Sequence, residues 1–384
     1  MTKVMKAILR FNLLTALIAV FLTPGFLHAQ NDAEKFVNSG IESEKNGNDQ
    51  EAVFYYSLAI QADPSYADAF YHRGIVYYKM KNVTGALGDF NKAIQLDPNH
   101  AESYFKRGIV YLDAKNYNNA IYDFSKVIEL KPDMVEAYFN RGYSYLQLKQ
   151  TEKAIDDYTK AIEMDPSKPE AYLYRGKLYI QMEEYSKAIG DLTKAIENDP
   201  NSGELYKARG IAYYKTKDYT NAEADIDKAL ELNQTGGELY MIKGVCKSNQ
   251  QDFTSAIDDF TKAINENPDC EECYYNRGRA YMEMKNYESA ALDLGKVIDL
   301  NPKNEKAYIN RGYVYLETKS YIAAINDFLK AIEINPKSAF GYANLGIAYY
   351  DTGNYGMAVD AFKKAAKLGD KDSQNWLESN GYTW

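Results

Sequence analysis

Apolar residues in this chain fall three and four positions apart in short blocks, and the blocks come in pairs. In residues 101 to 134 the first block holds Tyr104, Phe105, Gly108, Tyr111 and Leu112. That spacing puts all five on one face of a helix. The second block, Ala120, Ile121, Phe124, Val127 and Ile128, has the same period. Lys115-Asn116 interrupts the pattern between them, and Lys131-Pro132-Asp133 ends it, since proline closes one helix and can open the next. The block pair therefore predicts a helical hairpin.

The same hairpin returns every 34 residues without insertion or deletion. Tyr138-Phe139-Asn140-Arg141-Gly142-Tyr143-Ser144-Tyr145 has close copies throughout the chain, and counting from Gly142 finds glycine at 40, 74, 108, 142, 176, 210, 244, 278, 312 and 346. Alanine recurs at 52, 86, 120, 154, 188, 222, 256, 290, 324 and 358, and proline at 64, 98, 132, 166, 200, 268, 302 and 336. Ten units from Ala33 to Asp372 are expected to stack as one continuous solenoid. A glycine inside a helix costs about 1 kcal/mol relative to alanine. Its return in every unit implies that two helices pack closely there, with the alanine on the facing helix. Tyrosine stands four before this glycine in eight units and three after it in eight, and these sixteen are expected to be core.

The chain resembles a tetratricopeptide-repeat protein. The family's order of aromatic, glycine, tyrosine, alanine, phenylalanine and proline at fixed offsets is matched by Tyr104, Gly108, Tyr111, Ala120, Phe124 and Pro132. The resemblance covers about nine tenths of the chain. It implies an all-α fold, a right-handed α-solenoid of helical hairpins. It also implies that first helices line a concave surface whose variable residues select a peptide or a protein segment.

One position departs from the family. Where leucine most often precedes the glycine, this chain has Arg73, Arg107, Arg141, Arg175, Arg209, Lys243, Arg277 and Arg311. Sixteen residues on stand Asp89, Asp123, Asp157, Asp191, Asp225, Asp259, Asp293 and Asp327. Base and acid vanish together in the first unit (Ser39, Tyr55) and the last (Leu345, Ala361). A ladder of base–acid pairs joining the two helices of each hairpin is predicted, with a ligand-facing basic stripe as the alternative. As exposed pairs these would contribute about 0 to 1 kcal/mol each.

The seventh unit is irregular. Gln234 replaces the proline, Gly236-Gly237 follows, and Lys243 and Lys247 replace arginine and tyrosine, so a local bend is expected. Polar Asp49 and Ser43 near the start, and Trp376 and Leu377 near the end, suggest caps, the latter within a closing helix over residues 373 to 384.

Composition narrows the function. Residues 1 to 29 carry Lys3, Lys6 and Arg10, then apolar Phe11 to Leu22, then Pro24-Gly25 and Leu27-His28-Ala29. This is the order of a secretory signal peptide cleaved after Ala29, which leaves residues 30 to 32 as a short lead. The apolar run is short against the roughly 20 residues that span a bilayer, so no stable membrane span is expected after cleavage. An exported protein, periplasmic or secreted, follows. The whole chain carries −9, and the segment removed is basic. That acidity disfavours a nucleic-acid partner, which needs a basic stripe.

No catalytic constellation is identifiable: His72 and His100 are the only histidines after the segment. No cofactor and no metal are expected. Glu102, Glu136, Glu170, Glu204, Glu238 and Glu272 repeat at one early helix position, where the helix dipole favours negative charge. Cys270 and Cys273 form a candidate disulfide in an oxidising compartment. Cys246 reads as packing.

Candidate partner-binding residues follow from the resemblance. Offsets lining the groove hold Tyr71, Ile75, Tyr78, Phe105, Ile109, Leu112, Phe139, Tyr143 and Leu146, an apolar half that is either an interaction surface or partly interhelix core. Lys177, Lys207, Lys247 and Arg279 make the remainder basic and suited to acidic groups. Asn140, Asn276, Asn310 and Asn344 match the asparagine with which the family often holds peptide backbone, whereas the family's lysine and asparagine clamp for chaperone carboxyl termini is not reproduced. The leading expectation is a non-enzymatic, exported scaffold binding a peptide or partner domain, in envelope or secretion-complex assembly. The alternatives are a glycan- or peptidoglycan-binding protein that uses the tyrosine-rich groove and, from another class, a redox module using Cys270 and Cys273.

Overall fold

The computed structural model describes residues 24 to 384, with side chains from Asn31 onward. The expected signal segment therefore lies largely outside the described residues. Twenty-one helices and no strand are found among those described. The chain falls into two compact units, the first ending at Leu178 and the second starting at Tyr179.

The N-terminal unit holds α1 (Pro24–Lys45), α2 (Asp49–Ala62), α3 (Ala67–Lys79), α4 (Val83–Leu96), α5 (Ala101–Asp113), α6 (Tyr117–Leu130), α7 (Val135–Gln147), α8 (Thr151–Met164) and most of α9 (Pro169–Gln181). The C-terminal unit continues with α10 (Tyr185–Asn198), α11 (Gly203–Lys215), α12 (Tyr219–Glu231), α13 (Gly237–Asn249), α14 (Phe253–Glu266), α15 (Glu271–Glu283) and α16 (Tyr287–Leu300). It closes with α17 (Glu305–Glu317), α18 (Tyr321–Ile334), α19 (Ala339–Asp351), α20 (Tyr355–Lys367) and α21 (Lys371–Ser379). Pro24 stands first in α1, where a missing N–H costs nothing. The helix therefore starts ahead of Ala33.

The two kinds of turn have different chemistry. Within a hairpin, Lys115 adopts φ 58° and the Asn116 N–H reaches back to the Tyr111 carbonyl at 2.8 Å, closing the first helix. The Asn116 side chain then accepts from Asn119 N–H and opens the second. Lys81, Lys149, Glu183, Lys217, Gln251, Lys285 and Lys319 take the same left-handed conformation in the same register, as do Gly47 and Gly353. Between hairpins an extended residue, aspartate or asparagine except for Lys131, precedes proline. Asp97 is at φ −129° and its carboxylate accepts from Asn99 N–H at 2.9 Å. Where Gln234 replaces proline, the turn is made instead by Asn233 at φ 62° and Gly236 at φ 132°. Only glycine takes the latter angle without strain.

The core lies sixteen residues after each recurrent glycine. Tyr56, Phe90, Phe124, Tyr158, Leu192, Ile226, Phe260, Leu294 and Phe328 are fully buried there, and the recurrent alanines beside them are equally inaccessible. A Cβ on Gly108 would meet the Phe124 ring at 2.8 Å, and on Gly312 the Phe328 ring at 2.6 Å. The glycine is therefore the seat of a large side chain from the second helix, and the facing alanine lets the helices close. At the end of the chain Leu377 of α21 is buried, and Trp376 packs on Phe362 with ring centroids 4.5 Å apart.

The sixteen tyrosines correct one expectation. Most are half-buried rather than core. Arg107 lies over the rings of Tyr104 and Tyr111, 5.4 and 6.0 Å from their centroids, and Arg73, Arg141, Arg209, Arg277 and Arg311 repeat the sandwich. The tyrosines are shelves for the guanidinium. Each of these arginines also forks onto its aspartate; in Arg141 the Nε and Nη2 donate to Asp157 at 2.9 and 2.8 Å.

These pairs are not exposed, contrary to expectation, because the aspartates are nearly or fully inaccessible. The bond to Asp157 holds Arg141 above its ordinary value, while burial pushes the Asp157 carboxyl up. Desolvation offsets much of the attraction, so the ladder fixes register more than it adds stability. A third partner extends the ladder between hairpins. Nη1 of Arg73, Arg141, Arg175, Arg209 and Arg277 donates to Ser57, Ser125, Thr159, Thr193 and Thr261 respectively, each sixteen residues earlier.

The seventh unit breaks the ladder. Lys243 was expected to pair with Asp259, but its single ammonium binds Asp227, sixteen residues earlier, at 2.5 Å. Lysine has no fork to hold both carboxylates. Asp259 instead has Lys247 and Lys262 at 3.6 Å, and its Oδ2 has no hydrogen-bond partner among the described residues.

Candidate functional site

The side chains expected to meet a partner all stand on first helices, and packing divides them. In the N-terminal unit Tyr71, Ile75 and Tyr78 press on a core of Ala86, Phe90 and Val110. Phe105 meets Phe124 at 5.8 Å between ring centroids. Phe139 lies 5.7 Å from Tyr158 and 5.8 Å from Tyr174, and Tyr143 lies 5.6 Å from Tyr174. Ile109 and Asn140 are half-buried beside them. One side of each ring is thus interhelix core, and the other side leaves a partly open apolar strip along α3, α5 and α7. The strip is walled by acid at one point, where the Tyr78 hydroxyl donates to Asp113.

The four asparagines are not equivalent. Asn310 Nδ2 donates to the Tyr275 hydroxyl at 3.1 Å, and Asn344 Nδ2 is turned back onto the Phe340 carbonyl at 2.9 Å. The amides of Asn140 and Asn276 make no hydrogen bond among the described residues and stay available.

The basic residues divide in the same way. Lys177 is exposed and lies over the Tyr174 ring at 5.8 Å. Lys207 faces Glu238 at 3.9 Å and Lys247 faces Asp259 at 3.6 Å. Arg279 is exposed and makes no ion pair among the described residues.

Arg279 and Asn276 share a cavity of about 460 Å³ in the C-terminal unit, with Val245, Ser248, Phe253, Phe260, Ala280 and Glu283 among its lining. Ser248 was missed in the reading of the sequence. The signal was present: four residues after the recurrent glycine the other inner units have Tyr78, Leu112, Leu146, Ile180, Tyr214, Met282 and Leu316, and only Ser248 is small.

Cys270 and Cys273 are joined by a disulfide. Its Cys270 sulfur caps α15 by accepting from Cys273 N–H at 3.2 Å. Cys246 is buried, and burial pushes its thiol up to about 12, as expected of a packing residue. Among the described residues no cluster of histidine, cysteine and carboxylate suited to a metal is found, and no helix is long and apolar enough to cross a membrane.

Family models described as tetratricopeptide repeat match residues 67–100, 135–168, 169–202, 271–304 and 305–338. Further models of the same description match 90–122, 203–235, 237–270 and 328–360, and one described as TPR repeat matches 110–149. No curated protein matches. Among solved structures, YrrB, described as a TPR protein with an unusual peptide-binding site, is 23% identical over 48% of this chain and 95% of its own, with a TM-score of 0.44. A MamA protein is 28% identical over 43% of this chain and 91% of its own, with a TM-score of 0.42. A tetratricopeptide repeat protein from Parabacteroides merdae is 20% identical over 66% of this chain and 99% of its own, with a TM-score of 0.46.

Proposed function

The chain belongs to the tetratricopeptide-repeat proteins, and from that premise we propose that it is an exported interaction scaffold that holds an extended peptide or a partner's segment against its first helices. Envelope or secretion-complex assembly is the setting that export suggests. The observation carrying this reading is the strip on α3, α5 and α7. Tyr71, Ile75, Phe105, Phe139 and Tyr143 are anchored on one side by core rings and open on the other, and the unengaged amide of Asn140 stands among them. Rigid apolar side chains beside a free amide suit a peptide, whose side chains need apolar contact and whose backbone needs a donor and acceptor.

Export rests on the basic-then-apolar order of residues 1 to 29. Stacking on glycan, the alternative, needs free ring faces, and in the strip the Tyr71 ring lies 5.1, 6.3 and 5.0 Å from the rings of His72, Phe90 and His100 and the Tyr143 ring 5.6 Å from that of Tyr174. That leaves the peptide reading better supported.

The test is affinity capture from envelope extract with the chain starting at Gln30, beside a variant carrying Ile109→Ser and Asn140→Ala. These changes leave the anchoring rings in place. A protein that is retained by the native chain, lost by an equally folded variant and bound again as a purified pair supports the reading. Equal retention by both removes the strip from the binding site, and saturable binding of saccharide without any protein partner overturns the reading.

A further inference from the structure

Large apolar side chains on the surface of this chain are not evenly spread. Eighteen are exposed among the described residues, and eleven of those follow residue 312. Several of the eleven touch. Phe340, Ile347 and Tyr350 of α19 and Trp376 of α21 line one cavity of about 320 Å³. Tyr355 lies 5.3 Å from Tyr350 between ring centroids, and Tyr382 stacks on Trp376 at 6.3 Å. These residues form one continuous face, on which Phe340 and Tyr355 are 72% and 61% exposed. α21 leaves the face open because it is short, nine residues against thirteen in α19 and α20, and buries only Ser373 and Leu377. Where nothing packs on a stacked array its outer face is polar, whereas a continuous aromatic face marks contact with another molecule.

Charge indicates which molecule. The chain carries −9, so two copies repel across most of their surface. Residues 355 to 384 are the exception, with four lysines against three aspartates and one glutamate. Asp372 lines the cavity, Lys371 precedes it and Lys367 ends α20; all three are exposed and none forms an ion pair among the described residues. Both signs therefore stand unpaired beside one apolar surface. We infer that this face joins two copies of the chain across a two-fold axis, α19 to α21 of one against α19 to α21 of the other. A two-fold contact uses the same patch twice, so rings meet rings and the lysines of one copy reach the aspartate of its partner. A strongly basic or acidic partner would gain nothing from a rim of balanced charge. The joined pair carries two apolar strips on one particle, so a partner with two binding segments is held more tightly than by either strip alone. The contact stands on other helices than the strip and does not depend on what the strip binds.

The test is sedimentation velocity of the full mature chain from dilute to concentrated solution, where a monomer–dimer equilibrium is expected. Phe340→Ser combined with Tyr355→Ser is expected to weaken dimerisation about tenfold or more, the effect of losing two anchoring rings. Both rings are exposed in the single copy, so the melting curve of the dilute protein should not change. Lys371→Glu and Asp372→Lys are each expected to weaken self-association through like charges across the axis, and an equimolar mixture of the two variants to restore it, because the mixed pair regains opposite charges on both sides. A chain that stays monomeric at every concentration overturns the inference and leaves the face to a different partner. A dimer that the ring variant does not weaken overturns the assignment to α19 to α21. A mixture that fails to recover overturns the two-fold pairing of the rim.

Discussion

Adding one methyl group at the recurrent glycine should have opposite consequences in two neighbouring hairpins. An alanine at position 312 would place its Cβ 2.6, 2.9 and 3.0 Å from three atoms of the Phe328 ring, which is fully buried and held by its own neighbours. At position 278 the nearest atoms are the Leu294 Cγ at 3.2 Å, the Asp293 Cβ at 3.3 Å and the Ala290 carbonyl at 3.6 Å. Both sites are helical, so alanine gains about 1 kcal/mol from backbone entropy in each. Overpacking costs about 1 to 3 kcal/mol where neighbours cannot move. The sum is a loss of about 0 to 2 kcal/mol for Gly312→Ala and a value near zero, or a small gain, for Gly278→Ala.

A repeat array need not unfold in one step, so a single melting temperature would blur the two effects. Native-state hydrogen exchange of α15 to α18 under urea gives each hairpin its own opening free energy. A second variant isolates the contact: Phe328→Leu in the Gly312→Ala background puts there the residue type that faces Gly278, and should recover part of the loss. Equal loss at the two glycines, or no recovery with Phe328→Leu, would refute the argument that the ring seated on each glycine sets the helix separation.

Two further outcomes test the ladder. In a double-mutant cycle on Arg141 and Asp157, coupling of about 0.5 to 3 kcal/mol is expected from urea unfolding, and Arg141→Ala should cost more than Asp157→Ala because it strands a carboxylate that is 7% exposed against 20% for the guanidinium. With the arginine gone, burial and the neighbouring Asp156 charge raise the folded value of Asp157 further, so the folded state binds more protons than the unfolded one and Arg141→Ala should regain stability as pH falls; a pH-independent deficit would contradict this. Lys243→Arg should supply the missing fork to Asp259 while its remaining nitrogen keeps Asp227, raising exchange protection in α13 and α14 by about 1 to 2 kcal/mol; unchanged protection would show that Lys247 and Lys262 already serve Asp259 adequately.

Much of this architecture was legible because identical physical demands recur at identical spacing. A glycine that costs helix stability and returns at 108, 142, 244 and 312 can be explained only by close approach, and the structure seats Phe124, Tyr158, Phe260 and Phe328 on those four. The Arg–Asp ladder was legible because both members disappear together, though its burial was not. Spacing shows that two side chains meet and says nothing of what covers them.

The tyrosines misled for a related reason. A ring shielding a guanidinium and a ring in an oily core obey the same helical period, and only the structure distinguishes Tyr111, a half-buried shelf under Arg107, from Phe124. Two features were hidden by variety. The third arm of the ladder ends on Ser57, Asn91, Ser125, Thr159, Thr193 and Thr261, which share a hydroxyl or amide oxygen but not an identity. The left-handed turn falls mostly on lysine, a residue with no preference for it, because the backbone bonds that close one helix and the side chain that caps the next outweigh the local strain of about 1 to 2 kcal/mol.

Departures from a repeat therefore carry more functional information than the repeat itself. Lys243 changes which carboxylate is held, Gly236 changes the turn, and Ser248 removes a side chain that its neighbours keep. All three fall between Gly236 and Ser248, and the last of them lines a cavity with Arg279 and Asn276. A residue conforming to the period answers to packing, whereas one that breaks it without loss of the fold is free to answer to a ligand.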